Sequence, residues 1–236
     1  IDYGEYAEAE WQLLAQLVAP GATVVEVGAN IGTHTVSLAR AAGPSGRVVA
    51  VEPQRIIHQY LCANLSLNGL ANVEAHWCGC ASEEAEMIVP PLDYFAATPQ
   101  NFGGVSLASH GAGERVRVCR LDDLVRDRRV QLLKVDVEGM EAEVLGGAVR
   151  TLASSRPVLY VENDRLDRSE ELIRLIADFD YRLYWHIPAL FNAANFFGNP
   201  ENVYGSVASF NMLCLPRESR GEVSGLQEIT DPARHP

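Results

Sequence analysis

The run Val25-Glu26-Val27-Gly28-Ala29-Asn30-Ile31-Gly32-Thr33 constrains the fold more than any other part of the chain. A β-branched stretch, Thr23–Gly28, leads into a turn with two glycines. A helical stretch, Ile31–Ala42, follows and is closed by Gly43. A strand that turns through glycines directly into a helix opens a parallel α/β sheet, with a ligand crevice at the strand's carboxyl end. The remaining periodicity continues that rhythm. Helices are predicted over 5–18, 55–67, 121–126, 141–153 and 169–179, with stops at Pro20-Gly21 and Asn68-Gly69. Further strands are predicted over 47–52, 72–78, 130–137, 157–163, 181–186 and 207–215. The expected fold is α/β and Rossmann-like: about seven strands in one mostly parallel sheet, helices on both faces, a single domain over 1–216. Two inserts interrupt it. Residues 82–117 carry Pro90-Pro91, Pro99 and Gly103-Gly104, and 187–205 are rich in Asn, Phe and Gly. Both follow strand ends, where such sheets bind ligands. Residues 217–236 read as a polar tail.

Charge removes one class of partner. The net charge of −12 would repel phosphate backbones, and the only basic run is Arg126, Arg128 and Arg129 beside Asp127. No nucleic-acid partner is expected. No apolar run nears the roughly 20 residues that span a bilayer, and no signal peptide is visible, so a cytoplasmic, non-membrane protein is expected. The five cysteines (Cys62, Cys78, Cys80, Cys119, Cys214) are odd in number and fit no zinc spacing; reduced thiols are expected.

The turn's chemistry narrows the ligand. A dinucleotide fingerprint needs glycine at its second position so that backbone can approach a pyrophosphate. That position here is Asn30, which crowds a pyrophosphate but leaves room for a nucleoside without one. S-adenosylmethionine (SAM), a sulfonium nucleoside, is such a ligand. Glu52 ends the second strand, where a carboxylate accepts both ribose hydroxyls; Pro53 stops that strand. Glu26 places negative charge near the methionine and sulfonium end. Three other readings stay open: a plain βαβ unit without ligand, an NAD-dependent oxidoreductase, and a non-catalytic module that keeps a cofactor fold.

The strings VVEVGANIGTHT, VVAVEP, LLKVDVEGMEAEVLGGA and PVLYVEN together resemble the FkbM family of SAM-dependent methyltransferases, over about Val24 to Asn163. The flanking YGEYAE and NFFGNPENVYG are also similar to it. The resemblance implies a class I methyltransferase fold, SAM as methyl donor, and O-methylation of a hydroxyl on a small molecule or glycan. It implies that Glu26, Gly28, Ala29, Asn30, Gly32 and Thr33 line the methionine end and that Glu52 and Pro53 hold the ribose. Trp77-Cys78-Gly79 would lie near the adenine, with Tyr3, Gly4 and Glu5 closing over the cofactor.

Methyl transfer then needs a group to align the acceptor and take its proton. Lys134, Asp136 and Glu138 alternate along a strand and share one face. Buried among Leu and Val they must be paired or used. Asp136, Glu138, Lys134 and Glu162 are the candidate catalytic residues. Asp136, Glu162 and Asn163 would converge at adjoining strand ends, and three such oxygens suit Mg²⁺, which would lower the acceptor's pKa; the alternative is a metal-free base. His34, His58, His76, His110, His186 and His235 read as satisfied polar residues. The two inserts are expected to form the acceptor lid, with Phe102, Phe196 and Phe197 stacking on the acceptor or packing the lid. An isologous homodimer is the default assembly.

Overall fold

The computed structural model describes residues 2–96 and 101–236. The elements run α1 (Glu8–Leu17), β1 (Thr23–Val27), α2 (Thr33–Ala42), β2 (Arg47–Val51), α3 (Arg55–Leu67) and β3 (Val73–His76). Next come β4 (Gly79–Cys80), β5 (Ala85–Val89), β6 (Glu114–Cys119), α4 (Leu121–Val125), β7 (Leu132–Val135), α5 (Glu141–Gly146) and α6 (Val149–Ser155). The chain finishes with β8 (Val158–Glu162), α7 (Leu166–Asp178), β9 (Tyr181–His186), β10 (Asn211–Pro216) and β11 (Gln227–Glu228).

The main sheet has the order β11-β9-β10-β8-β7-β1-β2-β3. Its centre, β3 through β8, is parallel, and β10 runs antiparallel between β8 and β9. The architecture is the Rossmann-like α/β sheet expected, with eight strands rather than seven. The eighth is β11, contributed by the segment expected as a tail. That segment turns back, pairs with β9, and seats the His235 ring against Trp185 and Phe210. Insert 82–117 is also more regular than its prolines and glycines implied. Its strands β5 and β6 join β4 in a second, three-stranded sheet. The single helix expected over 141–153 is two, α5 and α6, separated at Gly147-Ala148; at Gly147 the Ala81 carbonyl packs so closely that a Cβ would lie 2.1 Å from its oxygen. Among the described residues no helix is long and apolar enough to cross a membrane.

Strand alternation places the site. Along β1, Val25 and Val27 enter one core with Leu133, Val135 and α5 to α7, while Val24 enters the opposite core with Leu14, Leu38 and Leu132. Glu26 therefore leaves on the α1–α2 face, opposite Lys134, its register partner on β7. The order of strand addition reverses at β1, with β2 and β3 laid down on one side and β7 and β8 on the other, all parallel. This is the switch point at which such sheets hold ligands.

Candidate active site

A cavity of about 320 Å³ opens at that switch point. Its first half is built by the glycine turn. Gly28, at φ 88°, permits the crossing: a Cβ there would sit 1.8 Å from the Asp136 carbonyl oxygen. The turn is pinned to β2 by Glu52. One carboxylate oxygen accepts the Asn30 N–H at 3.0 Å and the other accepts Gln54 N–H at 2.8 Å. Glu52 is buried yet lines the cavity, and each oxygen keeps a further lone pair for a ligand. Burial raises its pKa to about 7, against the pull of those two N–H donors. The roof is residues 101–107 of the first insert. Gln54 Nε2 donates to the Phe102 carbonyl at 2.7 Å, Ser106 Oγ donates to the Glu138 carbonyl at 2.5 Å, and Phe102 stacks on Tyr94 at 5.0 Å.

The second half is a charge cluster. Lys134, 2% exposed, donates to Asp136 Oδ2 at 2.8 Å and lies 3.9 Å from Glu26 Oε1. Burial opposes the ammonium charge, but Asp136, Glu26 and Glu10 outweigh it and raise the lysine pKa. Burial likewise works against the Asp136 carboxylate, and Lys134 prevails, holding it below its ordinary value. Glu26 is raised to about 7, chiefly by burial, while accepting from Thr35 Oγ1 at 2.5 Å. Glu138 is also raised to about 7, by burial and then Asp136, and is paired with Arg165 at 2.7 Å. Glu162 is raised to about 10 by burial and by the charge of Asp136, so it keeps its proton at neutral pH. His34 is pulled down to about 3 by burial and then Lys134, so it is a neutral imidazole.

These residues fit a divalent cation poorly. Carboxylate oxygens of Asp136, Glu138 and Glu162 come within 4.8 Å of one another. Lys134 and Arg165 already supply the countercharge for two of them, Asp136 and Glu138. Mg²⁺ needs ionised or carbonyl oxygens free to bind it. The expected third ligand, Asn163, is turned away: its amide donates to Met212 Sδ at 3.3 Å, and it lines no part of the cavity. The chemistry of the cluster is therefore that of protons.

The family model described as the methyltransferase FkbM domain matches residues 26–183, from the Glu26 strand to the last parallel elements. The chain belongs to the FkbM methyltransferase family. Methyltransferase sdnD of Sordaria araneosa is 32% identical over 157 residues, which cover 52% of this chain and 59% of that protein. The chain thus spans under two thirds of that relative's length. The crystal structure of an FkbM methyltransferase from Methylobacillus flagellatus aligns with a TM-score of 0.50 at 19% identity, over 87% of this chain and 50% of that one. The O-methyltransferase TomG of Streptomyces achromogenes, in complex with SAM, aligns with a TM-score of 0.50 at 17% identity, over 89% and 78%. The two structures show the fold that the FkbM domain shares.

Of the residues proposed from sequence, Glu26, Gly28, Ala29, Asn30, Thr33, Glu52, Pro53, Lys134, Asp136, Glu138 and Glu162 all line this one cavity of the FkbM domain. Gly32, Cys78 and Asn163 do not. Gly32 faces α3, where a Cβ would meet Leu61 Cδ1 at 2.7 Å. Cys78 turns toward Cys119, with the sulfurs 3.6 Å apart, and its neighbours Gly79 and Cys80 take the place on the wall. Tyr3 and Glu5 hold the second insert instead of a cofactor. Tyr3 OH donates to the Glu201 carbonyl at 2.7 Å, and Glu5 accepts from Asn192 at 2.7 Å and from the Phe196 N–H at 2.8 Å. Tyr6, Glu10, Gln54, Ser209 and Asn211 line the cavity without having been singled out. Tyr6 precedes α1 and Glu10 lies in its first turn, and neither carries a motif. Ser209 and Asn211 arrive through β10 and carry no motif.

Proposed function

We propose that this chain transfers a methyl group from SAM to a hydroxyl of a small molecule or glycan. The supporting observation is Glu52: a buried carboxylate held by Asn30 and Gln54 N–H groups, facing a cavity shared with an acid–base cluster. That TomG was solved with SAM supports the same choice of donor. When bound, SAM supplies a methyl carbon already activated by its sulfonium. The chain's tasks are positioning and proton transfer. Glu52 accepts the ribose hydroxyls with its remaining lone pairs. Glu26 offsets positive charge beside the turn. Asp136, kept ionised by Lys134, is the final resting place of the acceptor's proton. The acidic net charge supports an acceptor without phosphate backbone. Calorimetry with S-adenosylhomocysteine is expected to give micromolar-range binding, weakened at least tenfold in Glu52→Ala. Absence of binding to the unaltered protein defeats the reading. Methyl transfer is expected to be unchanged by EDTA, and loss of turnover that Mg²⁺ restores would return the metal to the mechanism.

A further inference from the structure

Polar atoms buried without a partner cost about 1–3 kcal/mol each, so folded proteins rarely keep them. Three such atoms line this cavity with no partner at full hydrogen-bond geometry among the described residues: His34 Nε2, Glu162 Oε2 and Asn211 Nδ2, the last beside the Glu10 carboxylate on the same wall. Asn211 is 3% exposed and His34 7%. Asn211 and Glu162 are register partners on antiparallel β10 and β8, so their side chains leave the sheet together on one face. One offers an N–H and the other a carboxyl oxygen. A donor beside an acceptor is the complement of a single hydroxyl, whose oxygen accepts and whose hydrogen donates.

We propose that Asn211 and Glu162 form the subsite for the acceptor's reacting hydroxyl, and that this pair selects a neutral alcohol over a carboxylate. This rests on the methyltransferase reading above. Asn211 Nδ2 donates to the hydroxyl oxygen and Glu162 Oε2 accepts the hydroxyl hydrogen. Carboxylate oxygens of Glu162 and Asp136 lie within 4.8 Å of each other, which gives the proton a path. As the hydroxyl oxygen bonds to the methyl carbon, its proton passes to Glu162 Oε2 and Glu162 yields the proton on its other oxygen to Asp136. Glu162 ends as it began, Asp136 ends protonated, and the carbon–sulfur electron pair leaves on sulfur. A carboxylate acceptor has no hydrogen for Glu162 and is repelled by Asp136.

Saturation-transfer NMR on the protein saturated with S-adenosylhomocysteine tests this with cyclohexanol and cyclohexanecarboxylate as probes. Cyclohexanol is expected to give signal and the carboxylate none. Asn211→Leu and Glu162→Leu should each cut the cyclohexanol signal at least fivefold. Glu162→Gln, which keeps a neutral group with an oxygen and N–H donors, should retain it within twofold. Affinity for S-adenosylhomocysteine should stay within twofold in all three, which also reports on folding. The proposal is overturned if the carboxylate binds equally, if no cyclohexanol signal appears on the unaltered protein, if Asn211→Leu keeps it, or if Glu162→Gln loses it as Glu162→Leu does. Failure of S-adenosylhomocysteine to bind the unaltered protein defeats the methyltransferase reading instead.

Discussion

Lys134 shows how a single residue ties stability to the site. Its ammonium is the cation within reach of both Asp136 and Glu26, and all three leave neighbouring strands on one face. Removing one member of a buried ionic group leaves the rest uncompensated, at a cost of about 3–5 kcal/mol. Lys134→Met is therefore expected to lower urea-unfolding stability by that order, and Asp136 should then titrate at higher pH because its main stabilising charge is gone. A variant as stable as the parent would mean the cluster is not coupled through Lys134. Glu138 is a second residue-scale case. Its backbone lies at φ 56°, a left-handed conformation, and the turn around it is closed by Glu141 Oε1, which accepts from Gly139 N–H at 3.0 Å.

At the scale of elements, α6 owes its start to a residue far away in sequence. No side chain at its own N-cap serves it. Asp122 on α4 does, accepting from Arg150 N–H and Thr151 N–H at 2.9 Å each and from Thr151 Oγ1 at 2.7 Å. Asp122→Ala is expected to cost about 1–3 kcal/mol by chemical denaturation, with S-adenosylhomocysteine affinity unchanged. Such contacts also mark where sequence reading stopped. The bounds of α3 were legible, because its apolar spacing ended at Asn68-Gly69. The break between α5 and α6 was not, because the Ala81 carbonyl that packs on Gly147 belongs to a distant segment. The cofactor half of the cavity was legible, since one turn and one strand end carry it. The acceptor half was not: Tyr6, Ser209 and Asn211 reach it only by packing. Cys78 and Asn163 were misplaced because each lies just outside a strand, Cys78 between β3 and β4 and Asn163 past the end of β8, where the two-residue alternation no longer fixes which way a side chain points.

For the whole molecule, the buried acids set the pH response. Glu26 and Glu52 titrate near 7 in the fold, above their ordinary 4.5. The folded state holds their protons more tightly, so the stabilisation is complete below about pH 4.5 and is lost as pH rises through 7. Each contributes up to about 3 kcal/mol, since every tenfold gain in proton affinity is worth about 1.4 kcal/mol. Urea unfolding of the ligand-free protein is expected to show lower stability at pH 8.5 than at pH 5.5. Asp136 and Glu218 are shifted the other way, and their losses fall at lower pH, outside this window; His34, lowered from 6.5 to about 3, opposes the trend only between pH 5.5 and its ordinary 6.5, by about 1.4 kcal/mol, less than the two acids lose. Cofactor affinity should run in the opposite sense. Ribose donors favour ionised Glu52, so S-adenosylhomocysteine binding should strengthen as pH climbs to about 7 and then level off. Glu52→Gln should flatten its contribution to that rise, and an unchanged profile would assign it to Glu26.

The close crossing at Gly28 has a practical corollary. Because the glycine turn rests on the peptide of Asp136 with no side chain between them, the turn and Asp136 share one rigid joint. Residues 101–107 of the first insert cover that joint, while among the described residues none of 187–205 lines the cavity. Chimaeras that graft the segment corresponding to 101–107 from another FkbM domain onto this chain should therefore change which acceptor is taken while leaving the turn's geometry undisturbed.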